Sequence, residues 1–426
     1  MQKILLFSHS GFSDQDANGI TMKNLLSAWQ PEEKAEFYCD VQVPDYSAAH
    51  QYFRLTDMQV MKAFLGKKSR LVLDFEGETQ EASGRKAHSD VKSVRRIPAW
   101  LKKHKYNFLL KWIREYLRLW GPWGQKTLDA WIDAVAPDVL VYMVGESIFL
   151  DKLVLKTCER TGKPLVLYNG EAYRIIDLST RKGLERAYYR KAEKLYAQLD
   201  SRASLVIYNC EMLKNDYMKM YAHPAKAIVA YNSAECNQQP YIPGDSMNIT
   251  YFGNLGVGRS ESLLQVAEVL ERIDPKLKLD IYGNATEENA AKFRARNNIC
   301  YHGFINAEQL HDVIAESDIL LHVESFDETI VWKLKYAFST KIAQCLCAGR
   351  CFVSYAPEGS ASSTYLKGEG ITVISDSETL EKVLRDLLTK PELRCEFAYS
   401  AAESGRRNHD RERISWQIRN MIGAFR

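Results

Sequence analysis

Residues 3–8 read KILLFS, a short apolar run that breaks into polar residues at Ser8. A run this short, followed by turn-forming residues, predicts a strand covered on both faces of a sheet. The loop GFSDQDANGI follows, and a helical pattern runs from Thr21 to Trp29. Strand, glycine-bearing loop and helix in that order open a doubly wound α/β domain. Apolar runs recur at 70–73 (RLVL), 138–144 (DVLVYMV), 164–168 (PLVLY) and 204–208 (SLVIY), with helical patterns at 126–135 and 149–161 between them. They do not alternate with polar residues, so the predicted sheet is parallel, with helices on both sides.

The same grammar restarts near residue 248. NITYFGNLG predicts a strand and a glycine-rich turn, 261–272 a helix, KLKLDIYG a strand and 286–297 a helix. NICYHGF, helix 307–316, DILLHVE, helix 339–348, RCFVSYA, the short strand ITVIS and helix 377–389 complete the series. Between the two series, 222–245 holds Pro224, Pro240, Pro243 and Gly244, the composition of a linker. An N-terminal Rossmann-like domain is therefore predicted over 1–222, a linker over 223–245, a second Rossmann-like domain over 246–395 and a helical tail over 396–426. The expected fold class is α/β, two doubly wound domains facing across a cleft. Open α/β sheets bind ligands outside the carboxyl ends of their strands, so the residues just after each strand are the candidates.

Composition narrows the function classes. The 57 Lys and Arg against 54 Asp and Glu are too balanced for a dedicated nucleic-acid binder. The nine cysteines are scattered and none sits in a C-x-x-C pair, so neither a zinc site nor a disulfide framework is expected. Buried, reduced thiols of a cytoplasmic protein are. The first apolar run is too short for a signal peptide, and no window approaches the roughly 18–20 apolar residues of a membrane span. The expectation is a cytoplasmic protein whose membrane contact is peripheral, on the inner face of the cell membrane.

The strand-end residues of the second half are more specific. YFGNLGVGRSESLL, LDIYGNATEE, YHGF, SDILLHVES and FSTKIAQCLCAGRCFVSYAP occur in that order. Together they resemble the nucleotide-sugar domain of GT-B glycosyltransferases, in particular the retaining, family 4-like bacterial enzymes of surface-polysaccharide assembly. SHSGFSDQDANGITMKNLL resembles the N-terminal half of that fold more loosely. The chemistry of the residues agrees. Arg259 follows a glycine-rich turn, where backbone donors and a guanidinium can converge on phosphate oxygens. Ser339, Thr340 and Lys341 stand where a long helix begins, and its free N–H groups, its dipole and one ammonium make an anion site. The resemblance implies that Arg259 and Lys341 clamp the donor diphosphate. It also implies that Gly19, after Asn18 in the first loop, brings its backbone to the donor phosphates. Gly283, with Tyr282 before it, and Phe304 would enclose the base. The competing readings are a solvated surface charge for Arg259, plain helix capping for Ser339 and Thr340, an ordinary loop glycine with positive φ for Gly19, and core packing for Tyr282 and Phe304.

The sequence departs from the family pattern in two places. Many members carry two glutamates seven residues apart; aligning KIAQCLCAGR on that pattern puts Gln344 at the ribose position and Tyr336 near the earlier one. Gln344 can hydrogen-bond a ribose hydroxyl without the strength of a carboxylate. Glu324, closing DILLHVE, is the nearest carboxylate that could serve the sugar. The N-terminal half lacks the histidine that relatives often place after a strand. Glu146 and Glu171, each just after an apolar run, are the available acid/base or acceptor-binding groups, with a plain surface carboxylate as the competing reading. Asp14-x-Asp16 stands in the wrong context for a metal motif, so no metal and no other cofactor is implied.

Residues 85–118 hold eleven Lys and Arg against Asp90 and Glu115, a local charge of +9 in a chain of +3. From Tyr106 a helical wheel puts Phe108, Leu109, Trp112, Ile113, Tyr116, Leu117 and Trp120 on one face and Lys111, Arg114, Glu115 and Arg118 on the other. Lys102, Lys103 and Lys105 precede this helix, and Trp100 and Trp123 flank it. A cationic amphipathic helix edged by tryptophans fits a membrane surface, and contact through residues 100–123 is expected. The competing reading is a helix that packs its apolar face on its own sheet. With the resemblance, the expected activity is hexosyl transfer from a nucleotide-diphosphate sugar, a UDP-sugar first, with retention and without metal. The expected acceptor is a saccharide or lipid-linked saccharide, and no nucleic-acid partner is expected. A sugar-nucleotide epimerase of the same fold and a non-catalytic sugar-nucleotide-binding subunit are the alternatives. An NAD-dependent oxidoreductase is excluded because no G-x-G-x-x-G follows the first strand.

Overall fold

Each series of apolar runs builds one sheet in the computed structural model, which describes residues 2–14, 16–74, 107–223, 225–244 and 247–425. The sheets belong to separate units, Met1–Ala230 with Ser415–Arg426, and Tyr231–Ile414.

The first unit holds β1 (Ile4–Phe7), β2 (Lys34–Tyr38), β3 (Gln51–Arg54), β4 (Val72–Asp74), β5 (Val139–Met143), β6 (Leu165–Asn169), β7 (Ala203–Tyr208) and β8 (Lys226–Val229). Their order across the sheet is β4-β3-β2-β1-β5-β6-β7-β8, so the winding reverses between β1 and β5. Neighbours run parallel except β3 and β4, so the run at 70–73 supplies an antiparallel edge strand rather than a member of the parallel sheet.

β2 and β3 carry no unbroken apolar run, because β2 reads KAEFY and β3 reads QYFR. Glu36 of β2 is fully buried, and its Oε2 accepts the Phe12 N–H at 2.8 Å. Ser8 Oγ lies 2.6 Å from the Ser10 carbonyl and 2.8 Å from Glu36 Oε1. One hydroxyl hydrogen serves one of these contacts, so a proton on the carboxyl completes the second. Burial, the dominant influence, pushes that carboxyl up to about 8, which keeps the proton in place. A buried polar group with its partners in place costs the strand little.

Two predicted boundaries move. β8 lies inside the expected linker, hidden by its brevity and partial exposure, and the first unit runs to Ala230 rather than to 222. The predicted tail is also not one element. The Pro391–Asn408 helix packs on β13 (Cys351–Tyr355) and the Thr340–Cys347 helix of the second unit, while Ser415–Arg426 belongs to the first. There the Ala28 N–H donates to Ser415 Oγ at 2.7 Å and Arg419 pairs with the buried Glu33 at 2.9 Å.

The second unit holds β9 (Ile249–Phe252), β10 (Leu279–Tyr282), β11 (Ile299–Gly303), β12 (Ile319–Val323), β13 and β14 (Val373–Ile374), all parallel, in the order β11-β10-β9-β12-β13-β14. Its winding reverses between β9 and β12. Ile249, Ile281, Ile319, Leu321 and Val353 meet Leu263, Val266 and Leu270 of the Arg259–Ile273 helix in a single core. All nine cysteines are free, with Cys345 and Cys347 buried. Among the described residues no helix is long and apolar enough to cross a membrane.

Candidate functional site

At the reversal of the second sheet, three strand ends come together through glycines. The Gly253 N–H, after β9, donates to the Tyr282 carbonyl at 2.9 Å, and the Gly283 N–H, after β10, donates to the Gly303 carbonyl at 2.7 Å. Gly283 has φ +152°, and a Cβ there would collide with the Gly253 carbonyl oxygen. Only glycine fits this approach. The Arg259–Ile273 helix then begins at Gly258, whose φ of +75° turns the chain and whose missing side chain leaves room for Ser325 after β12. No side chain caps this helix; the Arg259 N–H turns back to the Gly256 carbonyl at 3.3 Å, and the rest of the first turn keeps the positive end of the dipole without a side-chain partner.

The charges sit on that frame. Arg259 Nε and Nη2 donate to Glu324 Oε2 and Oε1, both at 2.9 Å, a two-pronged pair across the β9–β12 junction. Glu324 is buried, and Ser262 Oγ donates to its carbonyl at 2.8 Å. His322 Nε2 stands 3.3 Å from Glu324 Oε1, while its Nδ1 lies 3.2 Å from Ser354 Oγ. Burial would raise the Glu324 carboxyl; His322 and Arg259 outweigh it and hold the group down to about 2. It is a committed carboxylate.

Lys341 stands opposite. Ser339 caps the Thr340–Cys347 helix by accepting the Lys341 N–H at 3.3 Å, and the Lys341 stem lies along Gly253. Burial first, and the Arg259 charge second, push its ammonium below the usual lysine value. Among the described residues no carboxylate pairs with it in an ion pair. A small pocket is lined by Phe252, Asn254, Arg259, His322, Ser339 and Lys341. Two cations thus stand by one carboxylate that is bonded to Arg259, in a partly dry recess, and an added anion would relieve the penalty on Lys341.

The structure therefore brings together Arg259, Glu324, Ser339, Thr340 and Lys341, with Gly283 in the adjoining glycine cluster. Gln344 follows one turn along the helix and is half-buried. Phe304 is exposed after the edge strand β11 and so is no core residue. Tyr282 is half-buried, its ring stacked on His302 at 4.4 Å. His322 and Gly253 escaped the sequence reading. His322 was hidden inside the apolar run DILLHVE, and the one signal was a histidine two positions before Glu324 on the same strand face.

In the first unit Gly19 is not in the loop. It is the third residue of the Ala17–Leu25 helix, and the Asp16 side chain already accepts its N–H at 3.1 Å and that of Asn18 at 3.0 Å. Its lack of a side chain is explained by packing, since a Cβ would lie 2.7 Å from the Gly11 carbonyl oxygen and 2.8 Å from the Ser13 nitrogen. Asp14 pairs with Lys23 at 2.8 Å. Glu146, after β5, pairs with Lys111 at 2.7 Å. Glu171, after β6, is open to solvent on one side, and the packed protein around it pushes its carboxyl up to about 7. Among the described residues no group of three His, Cys, Asp or Glu is arranged to hold a metal ion.

Residues 259–420 match the family model described as "Glycosyl transferase-like". Among solved structures, HepE from Anabaena in complex with UDP and glucose is similar at 11% identity, with 100% of each chain covered and a TM-score of 0.63. Sucrose-phosphate synthase from Thermosynechococcus elongatus is similar at 11% identity, over 99% of this chain and 98% of that one, with a TM-score of 0.62. The trehalose-6-phosphate synthase OtsA is similar at 11% identity, with 100% of each chain covered and a TM-score of 0.61. The comparison with curated proteins finds no match. The fold is that of GT-B glycosyltransferase structures, two parallel-sheet α/β domains, and its second half carries a glycosyltransferase-like domain.

Proposed function

We propose that this protein transfers a sugar, with retention and without a metal ion, from a UDP-sugar to a saccharide or lipid-linked saccharide. The observation that carries the reading is the pair of cations, Arg259 and Lys341, converging beside a helix N-terminus without a side-chain cap, with Glu324 the one carboxylate among the described residues that pairs with either of them. The diphosphate binds where the Glu324 carboxylate now holds the guanidinium, with Lys341 and the first N–H groups of the Arg259–Ile273 helix on its remaining oxygens. As the sugar leaves, negative charge builds on that diphosphate, and the same groups stabilise it where it forms. Glu324, freed from Arg259 by the incoming phosphate, faces the sugar as a permanent carboxylate. Gly283 and Phe304 hold the base by backbone and ring, and Gln344 takes a ribose hydroxyl. On the acceptor side, Glu171 is poised near neutrality to accept a proton, while Glu146, tied to Lys111, orients. Support for the donor comes from the HepE structure with UDP and glucose and from the glycosyltransferase-like match over 259–420.

The test is turnover. Purified protein given UDP-sugars one at a time should slowly release UDP, with water as a poor acceptor, and release should persist in chelator. A tight UDP-sugar complex with no release, even with saccharide acceptors present, points instead to a binding subunit. Interconversion of the sugar without release points to an epimerase.

A further inference from the structure

The Phe108–Trp120 helix turns its charged face inward. Glu115 is 3% exposed and Arg118 1%. Glu115 accepts the Phe149 N–H, Ser147 Oγ at 3.1 Å and Tyr188 OH at 3.3 Å, and Arg118 pairs with Asp57 at 2.7 Å. The apolar face is left outside: Leu109 is 53% exposed, Ile113 45%, Tyr116 62% and Trp120 70%. These positions form one stripe along the helix. Phe108 and Trp112, by contrast, pack on Tyr188, and Trp123 is buried, its Nε1 donating to the Arg118 carbonyl at 2.6 Å. Trp100, Lys102, Lys103 and Lys105 lie outside the described residues.

Neighbouring elements widen the stripe. Phe64 reaches Gly121, directly after Trp120, and Met61 and Leu65 beside it are exposed. Trp112 Nε1 donates to the carbonyl of the exposed Leu184 at 3.1 Å. Cations rim this area: Lys67 and Lys68 follow Leu65, and Lys182 and Arg186 flank Leu184, all exposed. Among the described residues the carboxylates beside the stripe are paired, Asp57 with Arg114 and Arg118, Glu146 with Lys111 and Glu185 with Arg181. A contiguous apolar patch with a charged rim marks an interaction surface.

We propose that this face docks on an anionic lipid bilayer, the Leu109–Trp120 stripe entering the headgroup boundary and the lysine and arginine rim meeting lipid phosphates. The charge selects this occupant. A second copy docked face to face would set the same cations against themselves, whereas anionic headgroups complement them. The docking stands apart from the donor site; only its use, to reach a lipid-linked acceptor, rests on the function proposed above.

The full chain should sediment with phosphatidylcholine vesicles that contain phosphatidylglycerol, much less with pure phosphatidylcholine, and less again as salt rises. Ile113→Ser with Trp120→Ser should remove most of the binding. Lys67→Ala and Lys68→Ala should each weaken it roughly fivefold. All four positions are exposed, so circular dichroism and UDP affinity should stay those of the parent protein, and a failed donor site is read separately from a failed docking face. Equal binding to both vesicles, no binding to either, or binding that ignores these substitutions overturns the proposal. So does a dimer in solution that Trp120→Ser dissolves.

Discussion

Both sheets reverse their winding beside their first strand, at β1–β5 and at β9–β12, yet the two crevices have opposite chemistry. Beside β1 the donors are spent internally. Asp16 takes the first N–H groups of its helix, Glu36 takes Phe12 N–H, and Lys23 lies between Asp14 at 2.8 Å and Asp45 at 2.6 Å. Beside β9 no side chain caps the helix, Glu324 is bonded to Arg259, and Lys341 has no ion pair among the described residues. One topology thus offers two places for a ligand, and the supply of side chains decides which one takes an anion.

The largest expected contrast is in pH. Glu36 is neutral in the fold up to about 8 but would ionise near 4.5 when unfolded, so the first unit should lose stability as pH rises from 4.5 to 8. The loss amounts to about 5 kcal/mol. His409 does the reverse in the second unit. Its Nδ1 lies 2.6 Å from the Asn232 carbonyl and its Nε2 2.8 Å from Tyr365 OH, and burial keeps the ring neutral down to about 4. The unfolded ring protonates near 6.5, so that unit should lose about 3 kcal/mol as pH falls from 6.5 to 4. Hydrogen exchange followed unit by unit across this range checks both signs, and Glu36→Gln should flatten the first.

Gly19→Ala sharpens the contrast next. The new methyl presses on the backbone of Gly11 and Ser13, so the first unit should lose about 2 kcal/mol in urea unfolding while UDP affinity holds. Weakened UDP binding in a folded Gly19→Ala protein would return the first crevice to the donor site. The smallest effect is expected of Glu324→Gln. Removing the carboxylate that competes for Arg259 should tighten UDP binding by about 1 kcal/mol in calorimetry and slow UDP release.

The strands of the second unit are legible in the sequence because each is a short, mostly apolar run, broken by at most one polar residue such as Asp280 or His322 and ended by glycine or a polar residue. β2 is not, because Lys34 and Glu36 interrupt it and only the folded partners make their burial tolerable. The sequence pattern starts this helix at Thr21, because Asn18 and Gly19 are poor helix formers; the signal for the true start at Ala17 is Asp16, whose side chain caps the helix. Arg259, Lys341 and Glu324 could each be singled out as strand-end or helix-start residues. Their meeting could not, since Arg259 and Glu324 are 65 residues apart and join only once β9 lies beside β12. The wheel of the Phe108–Trp120 helix separates Leu109, Ile113, Tyr116 and Trp120 from Glu115 and Arg118, but it sets Phe108 and Trp112 with the exposed stripe although both pack on Tyr188. Which face turns inward depends on Asp57, Phe149 and Tyr188, remote in the chain.

The central claim is that the β9–β12 crevice binds the diphosphate through Arg259 and Lys341, and calorimetric titration of UDP tests it most directly. Arg259→Ala and Lys341→Ala should each cost about 2 kcal/mol, roughly thirtyfold in affinity, with native circular dichroism, while Lys23→Ala in the other crevice costs nothing. Unchanged affinity in both the Arg259→Ala and Lys341→Ala proteins would contradict the account.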